Sequence, residues 1–294
     1  MASTSRPRRS VLYMPGANTR AMEKGRTLPA DVLIFDLEDS VAPDAKAEAR
    51  QNIVDAVKEG GYGKREIVVR ANALNTPWGN EDVSTLASCG ADAMLMPKVE
   101  SADTVRQVAA LMEANGAPDD MAIWCMIESP RGVLHAEEIA DASPRMGALI
   151  MGTADLGKEL HAADTLDRIP FLTSLQLCVL AARAAGISIL DAVYFDLNDD
   201  EGFAQSCKLG KDLGFDGKTL IHPKTIAEAN KAFAPSEEEI AWSKKIMAAH
   251  EEALKEGKGI VLVDGKLIEN LHVIAAQRMV AMADAIKELE ADAS

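Results

Sequence analysis

Short β-rich runs alternate with helix-patterned segments eight times along this chain, and that alternation leaves few folds open. The runs are VLYMPG (11–16), VLIFDLED (32–39), EIVVRAN (66–72), AMLMPKV (93–99), AIWCMIE (122–128), GALIMGT (147–153), SILDAVY (188–194) and GKTLIHP (217–223). Between them lie segments such as DAKAEARQNIVDAVKEG, SADTVRQVAALMEANG and FLTSLQLCVLAARAAG. Their apolar residues recur at spacings of three and four, the period of an amphipathic helix. Gly60, Gly116 and Gly186 stand where these helices should stop, and Asp44 in VAPDAKAEAR stands where one should be capped. Strands that are apolar almost throughout need cover on both faces, which predicts a closed parallel (β/α)8 barrel of the TIM type. A doubly wound open sheet is the alternative. The stretch EEEIAWSKKIMAAHEEALKEG followed by GIVLVDGKLIENLHV has no place in that repeat. The expected division is a barrel over residues 1–234 and a C-terminal helical lid extension over 235–294.

The strand ends separate the two folds. Asp36, Glu38 and Asp39 close the second strand, Arg70 the third, Lys98 the fourth and Glu128 the fifth; Asp155 follows the sixth, Asp191 and Tyr194 belong to the seventh and His222 to the eighth. A barrel gathers such residues at one mouth, where these folds carry their chemistry, whereas an open sheet concentrates them at one crevice. Each also has a plainer reading. A lone Asp155 resembles a helix cap, His222 precedes a proline that can start a helix, and Lys98 can simply pair with a carboxylate. Glu128 ends an otherwise apolar strand and must be paired, hydrated or bound to metal there. Carboxylates without neighbouring cysteine or histidine form a hard oxygen site that suits Mg2+. Arg70 and Lys98 are candidates to hold an anionic substrate.

Composition narrows the class. With 31 basic and 46 acidic residues the formal charge is -15, which argues against nucleic acid and anionic membranes as partners. No apolar run approaches the roughly 18 residues of a membrane span. Cys89, Cys125, Cys178 and Cys207 are far apart and form no CxxC pair, which fits a reducing cytoplasm rather than a zinc knuckle or a disulfide frame. The opening MASTSRPRRS is basic but too short for a removable presequence before Val11, and reads as a loose solvated tail. There is no GxGxxG, Walker loop, GxSxG elbow or HExxH, so nucleotide-driven and serine-triad chemistry lose ground.

Taken together, RSVLYMPG, ADVLIFDLEDSVAPDAKAEAR, the Arg70 strand, LMPKVES, MIESPRGV, LIMGTADL, GFDGKTLIHP and VDGKLIENLHV resemble the HpcH/HpaI and citrate lyase beta-subunit superfamily. The likeness runs from about Arg9 to about Arg278. It is nearest to the CoA ester branch, which holds malyl-CoA and citramalyl-CoA lyases and (3S)-malyl-CoA thioesterases. The resemblance implies a TIM-like barrel in homotrimers or homohexamers, with the C-terminal segment covering a neighbouring subunit's site. It puts Mg2+, with Mn2+ as a substitute, on Glu128 and Asp155, and Arg70 against the reacting carbonyl oxygen. Glu38 and Asp39 would support the metal's waters and the arginine. Family lyases carry an aspartate in the lid motif where this chain has Glu269, as the thioesterase branch does; Glu269 is the implied general acid or base.

The implied reaction is carbon-carbon cleavage of a malyl-CoA-type ester to an oxoacid such as glyoxylate plus acetyl-CoA. Its alternatives are hydrolysis to malate and CoA, and service as the beta subunit of a citrate lyase complex on a carrier-bound thioester. A pyruvate-type aldolase has no need of the C-terminal lid, and a non-enzymatic scaffold has no need of Glu128, Asp155 and Arg70 together.

Overall fold

Parallel pairing organises the chain. The computed structural model describes residues 6–292. It contains β1 (Ser10–Pro15), β2 (Val32–Asp36), β3 (Glu66–Arg70), β4 (Ala93–Met96), β5 (Ala122–Ile127), β6 (Met146–Met151), β7 (Ser188–Asp191) and β8 (Gly217–Leu220). The strands pair in sequence order and close when β8 returns to β1 through Ser10 and Lys218. This is the TIM barrel expected from the sequence, and the open sheet is excluded. Alternation sorts the side chains: Val32, Ile34, Val68, Leu95 and Trp124 fill the interior, while Leu33, Phe35 and Val69 face the helices. Gly60, Gly116 and Gly186 do end helices, each with positive φ. Asp44 is no cap. It lies in a 3-10 turn, Pro43–Ala45, and neither that turn nor the helix Lys46–Glu59 has a side-chain cap.

The tail also departs from expectation. Arg8 and Arg9 are buried at the strand N-termini, because carboxylates distant in sequence meet them there. Arg8 donates to Glu66 at 2.7 and 2.8 Å and to Ser188 Oγ at 2.7 Å, with its guanidinium 4.8 Å from the Trp124 ring. Arg9 donates to Asp31 at 2.9 Å. Bidentate pairing is what makes arginine tolerable in such a place. The rest of the expected tail, residues 1–5, lies outside the described residues.

A second buried ionic group stands on the outer side of β7 and β8. Asp191 accepts from Arg168 at 2.6 and 2.9 Å and from Lys218 at 2.8 Å. Burial opposes its charge, but Lys218 and Arg168 outweigh burial and hold the carboxyl below its ordinary 3.8. Asp191→Asn leaves two cations without their counter-charge and should destabilise the fold by about 3–5 kcal/mol in urea unfolding near neutral pH. A depressed folded pKa contributes stability above the unfolded value, which is lost as pH falls through the folded one. The urea midpoint of the variant should therefore lose less than that of the wild type as pH drops below 3.8.

The described residues divide into two compact units, Arg8–Phe233 and residues 234–292 together with Arg6 and Pro7. In the second, Ser236 and Glu239 form a capping box at the start of the helix Glu237–Lys255. A hairpin follows, β9 (Val261–Val263) and β10 (Lys266–Ile268), paired antiparallel. Asp264 and Gly265 turn it with φ of 49° and 76°, as a two-residue hairpin of matching twist requires. The helix Asn270–Asp292 completes the unit around Ile246, Val263, Ile268, Val273 and Ala276. Among the described residues no helix is long and apolar enough to cross a membrane, and all four cysteines are free and buried.

Candidate active site

The equal length and matched register of β2 and β3 set Asp36 beside Arg70 at their C-terminal ends. Arg70 Nε and Nη2 donate to the two oxygens of Asp36 at 2.5 and 2.7 Å. Asp36 also accepts from Ser40 Oγ and from the amides of Glu38 and Ser40. Burial alone would raise the Asp36 pKa, yet Arg70 and these hydrogen bonds hold it below the usual carboxylate range. Glu38 Oε2 lies 2.8 Å from Arg70 Nη1 and Glu38 Oε1 lies 3.2 Å from Lys98 Nζ. Tyr13 covers one face of the guanidinium, its ring centroid 4.7 Å away. The arginine is thus fixed in plane and in charge before any ligand arrives. Asp39 stands further off, 3.9 Å from Arg70 and largely exposed.

Glu128 directly follows β5 in the same mouth. Its Oε1 accepts the Lys98 amide N–H at 2.6 Å. Lys98 adopts a left-handed backbone, φ 53°, a conformation that costs a non-glycine residue roughly 1–2 kcal/mol and aims that amide. On the other side Gly152 gives room: a Cβ there would lie 2.6 Å from Glu128 Oε2. Asp155 is brought near by the first turn of the helix Thr153–Leu160. Burial, with the Glu38 and Asp155 carboxylates, pushes Glu128 up to about 7. Glu38 is raised as well, chiefly by burial.

This donor set fits a hard divalent cation. Glu128 and Asp155 line one cavity with no thiol or imidazole, and Glu128 is desolvated enough to need a counter-charge. Among the described residues no group of three or more such side chains is preassembled, so waters and substrate oxygens would complete the shell, as Mg2+ prefers.

A cavity of about 290 Å3 joins these groups, lined by Tyr13, Arg70, Met126, Glu128, Asp155 and Thr219 among others. The barrel therefore brings Arg70, Glu38, Asp39, Lys98, Glu128 and Asp155 to one mouth. His222 takes the structural role instead, its Nδ1 accepting the Lys224 amide at 3.1 Å to cap a short turn. Tyr194 lines a neighbouring cavity with Arg168 and Lys218, and its hydrogen bond to Asp199 pushes the phenol up to about 12. Glu269 belongs to the C-terminal unit, between β10 and the last helix, where its amide donates to His272 Nδ1. Tyr13 and Met126 escaped sequence reasoning, and Asp36 was named there as a strand end but not as the partner of Arg70. That pairing could have been found by aligning the two five-residue strands; Tyr13 signals itself only by sharing the inward face with Val11.

A family model described as HpcH/HpaI aldolase/citrate lyase matches residues 9–223. The chain belongs to this family. The resemblance drawn from the motif series is borne out. Among family members, the (3S)-malyl-CoA thioesterase of Cereibacter sphaeroides strain ATCC 17025 is 46% identical over 286 residues, covering 97% of this chain and 98% of that one. The L-malyl-CoA/beta-methylmalyl-CoA lyase of the same strain is 36% identical over 306 residues, covering 96% of each. The structure of CitE from Mycobacterium tuberculosis in complex with magnesium, acetoacetate and coenzyme A aligns with a TM-score of 0.75 and 28% identity, over 96% of this chain and 99% of that one.

Proposed function

We propose that the protein is a magnesium-dependent thioester hydrolase that converts a malyl-CoA-type ester to malate and CoA. The observation that carries this reading is the 46% identity, over nearly the whole length of both chains, to a (3S)-malyl-CoA thioesterase. Glu269 in the lid motif agrees with it. Carbon-carbon cleavage, the leading expectation from the sequence, is compatible with the 36% identity to the malyl-CoA lyase and stands second. Work within a citrate lyase complex stands third.

Glu128 and Asp155 would hold Mg2+, which when bound supplies Lewis-acid polarisation of substrate oxygens. Arg70, held in plane by Asp36 and Glu38, faces the oxygen on which negative charge develops when water adds to the thioester carbon. A charge already fixed there needs no reorganisation during the reaction. Lys98 lends its amide to Glu128, and its half-exposed ammonium is available to a substrate carboxylate. Glu269 would take the proton from the attacking water, its glutamate reaching about one bond length further than the aspartate of the lyases. A shift near 1 Å can change a rate by on the order of a hundredfold. Four buried thiols and an acidic surface support a cytoplasmic setting.

Incubation with malyl-CoA and Mg2+ tests the reaction: malate plus free CoA is expected, whereas glyoxylate plus acetyl-CoA would establish the lyase reading. In the proposed homotrimer or homohexamer, Glu269 serves a neighbouring barrel. Mixing inactive Glu128→Ala and inactive Glu269→Ala proteins under conditions that exchange subunits should then regenerate activity. Confirmed exchange by mass without recovery would assign Glu269 to its own chain or remove it from catalysis.

A further inference from the structure

Two hydrogen-bond donors in the barrel mouth converge on an atom poorly suited to receive them. Tyr13 Oη lies 3.7 Å from Met126 Sδ, and Arg70 Nη1 lies 3.6 Å from the same sulfur. A thioether is a weak acceptor, and among the described residues this contact is the only hydrogen bond of the Tyr13 hydroxyl. Tyr13 is partly buried, and a tyrosine with an apolar body and a polar tip ordinarily gives its hydroxyl an oxygen or nitrogen partner. Arg70 is in a similar position. Nε and Nη2 are committed to Asp36 and Nη1 already pairs with Glu38 Oε2 at 2.8 Å, so the second N–H of Nη1, on the side of Met126, is where that nitrogen can still receive a ligand.

All three side chains line the same cavity as Glu128 and Asp155. We propose that Tyr13 Oη and Arg70 Nη1 form a two-donor site for the thioester carbonyl oxygen, and that Met126 Sδ marks where that oxygen enters. The unbranched, flexible methionine can move aside for it. Tyr13 is then a catalytic residue, as well as a ring stacked on the arginine. This inference rests on the reading that a thioester is the substrate. Water addition sends the C=O π pair onto the held oxygen. Its return as the C–S bond breaks expels the CoA thiolate, which gains the proton the water lost. The same two donors would hold the oxygen of a thioester enolate if the carbon-carbon bond broke instead.

Tyr13→Phe keeps the ring over Arg70 and removes only the hydroxyl. With malyl-CoA, kcat should fall by about ten- to a hundredfold while KM stays within about twofold, in line with the loss of one oxyanion donor. Infrared difference spectra of acetyl-CoA labelled with 13C at the thioester carbonyl give a second measurement that needs no turnover. On the wild type, the carbonyl band should move to lower frequency than in solution, and on Tyr13→Phe part of that shift should be lost. Equal kcat values, equal shifts, or a wild-type band at the solution frequency would each overturn the two-donor site. A wild type that shifts the acetyl-CoA band but leaves malyl-CoA intact would instead overturn the malyl-CoA hydrolase reading and keep the oxygen site.

Discussion

Treatment with EDTA should abolish turnover, and Mg2+ or Mn2+ should restore it, whereas Glu128→Ala protein should stay below detection at any metal concentration. The expectation follows from where Glu128 sits. It is 5% exposed at the end of an apolar strand, with Asp155 and Glu38 raising its pKa further. Two carboxylates forced together in that setting are relieved by a divalent cation, and removing one leaves too few protein oxygens to retain it. Calorimetric titration of Mg2+ into metal-stripped wild type and variant provides a second readout, since heat of binding should vanish with the side chain. Full activity in a metal-stripped Glu128→Ala protein would remove the metal from the reaction.

Arg70→Lys should lower kcat by about a hundredfold or more while leaving the barrel folded. Lysine retains the charge but has neither the planar fork that grips both Asp36 oxygens nor the delocalised face that stacks on Tyr13. Its ammonium would settle on Asp36 or Glu38, and the developing oxyanion would lose a donor already in place. Circular dichroism and the thermal midpoint should show a native fold. A near-normal kcat would make Arg70 a structural ion-pair residue.

The barrel was legible in the sequence because eight apolar runs that need cover on both faces have few other solutions. The convergence of strand ends then came without further information, since a closed parallel barrel leaves only one mouth for them. What escaped depends on partners distant along the chain. Arg8 and Arg9 read as a tail by local composition, and only Glu66 and Asp31, 58 and 22 residues away, bring them inside. The same holds for Asp36, whose meaning depends on its register with Arg70 34 residues later. Asp44 failed as a cap because a 3-10 turn took up the start of the helix. The weak thioether contact of Tyr13 is invisible until side-chain directions are known.

The Lys98 bend has a practical corollary for mutagenesis. Glu128 is tethered there by a main-chain amide, so alanine scanning at position 98 deletes an ammonium and leaves the tether in place. A mild phenotype for Lys98→Ala would therefore bear on the ammonium alone and leave the tether untested. Proline alone among the natural residues lacks the N–H, and its ring cannot adopt positive φ. Glycine would keep the amide and ease the backbone, trading the side chain for a more relaxed loop. Position 98 thus carries two separable pieces of information, and only a proline, glycine and alanine series distinguishes the geometry of the chain from the charge it displays.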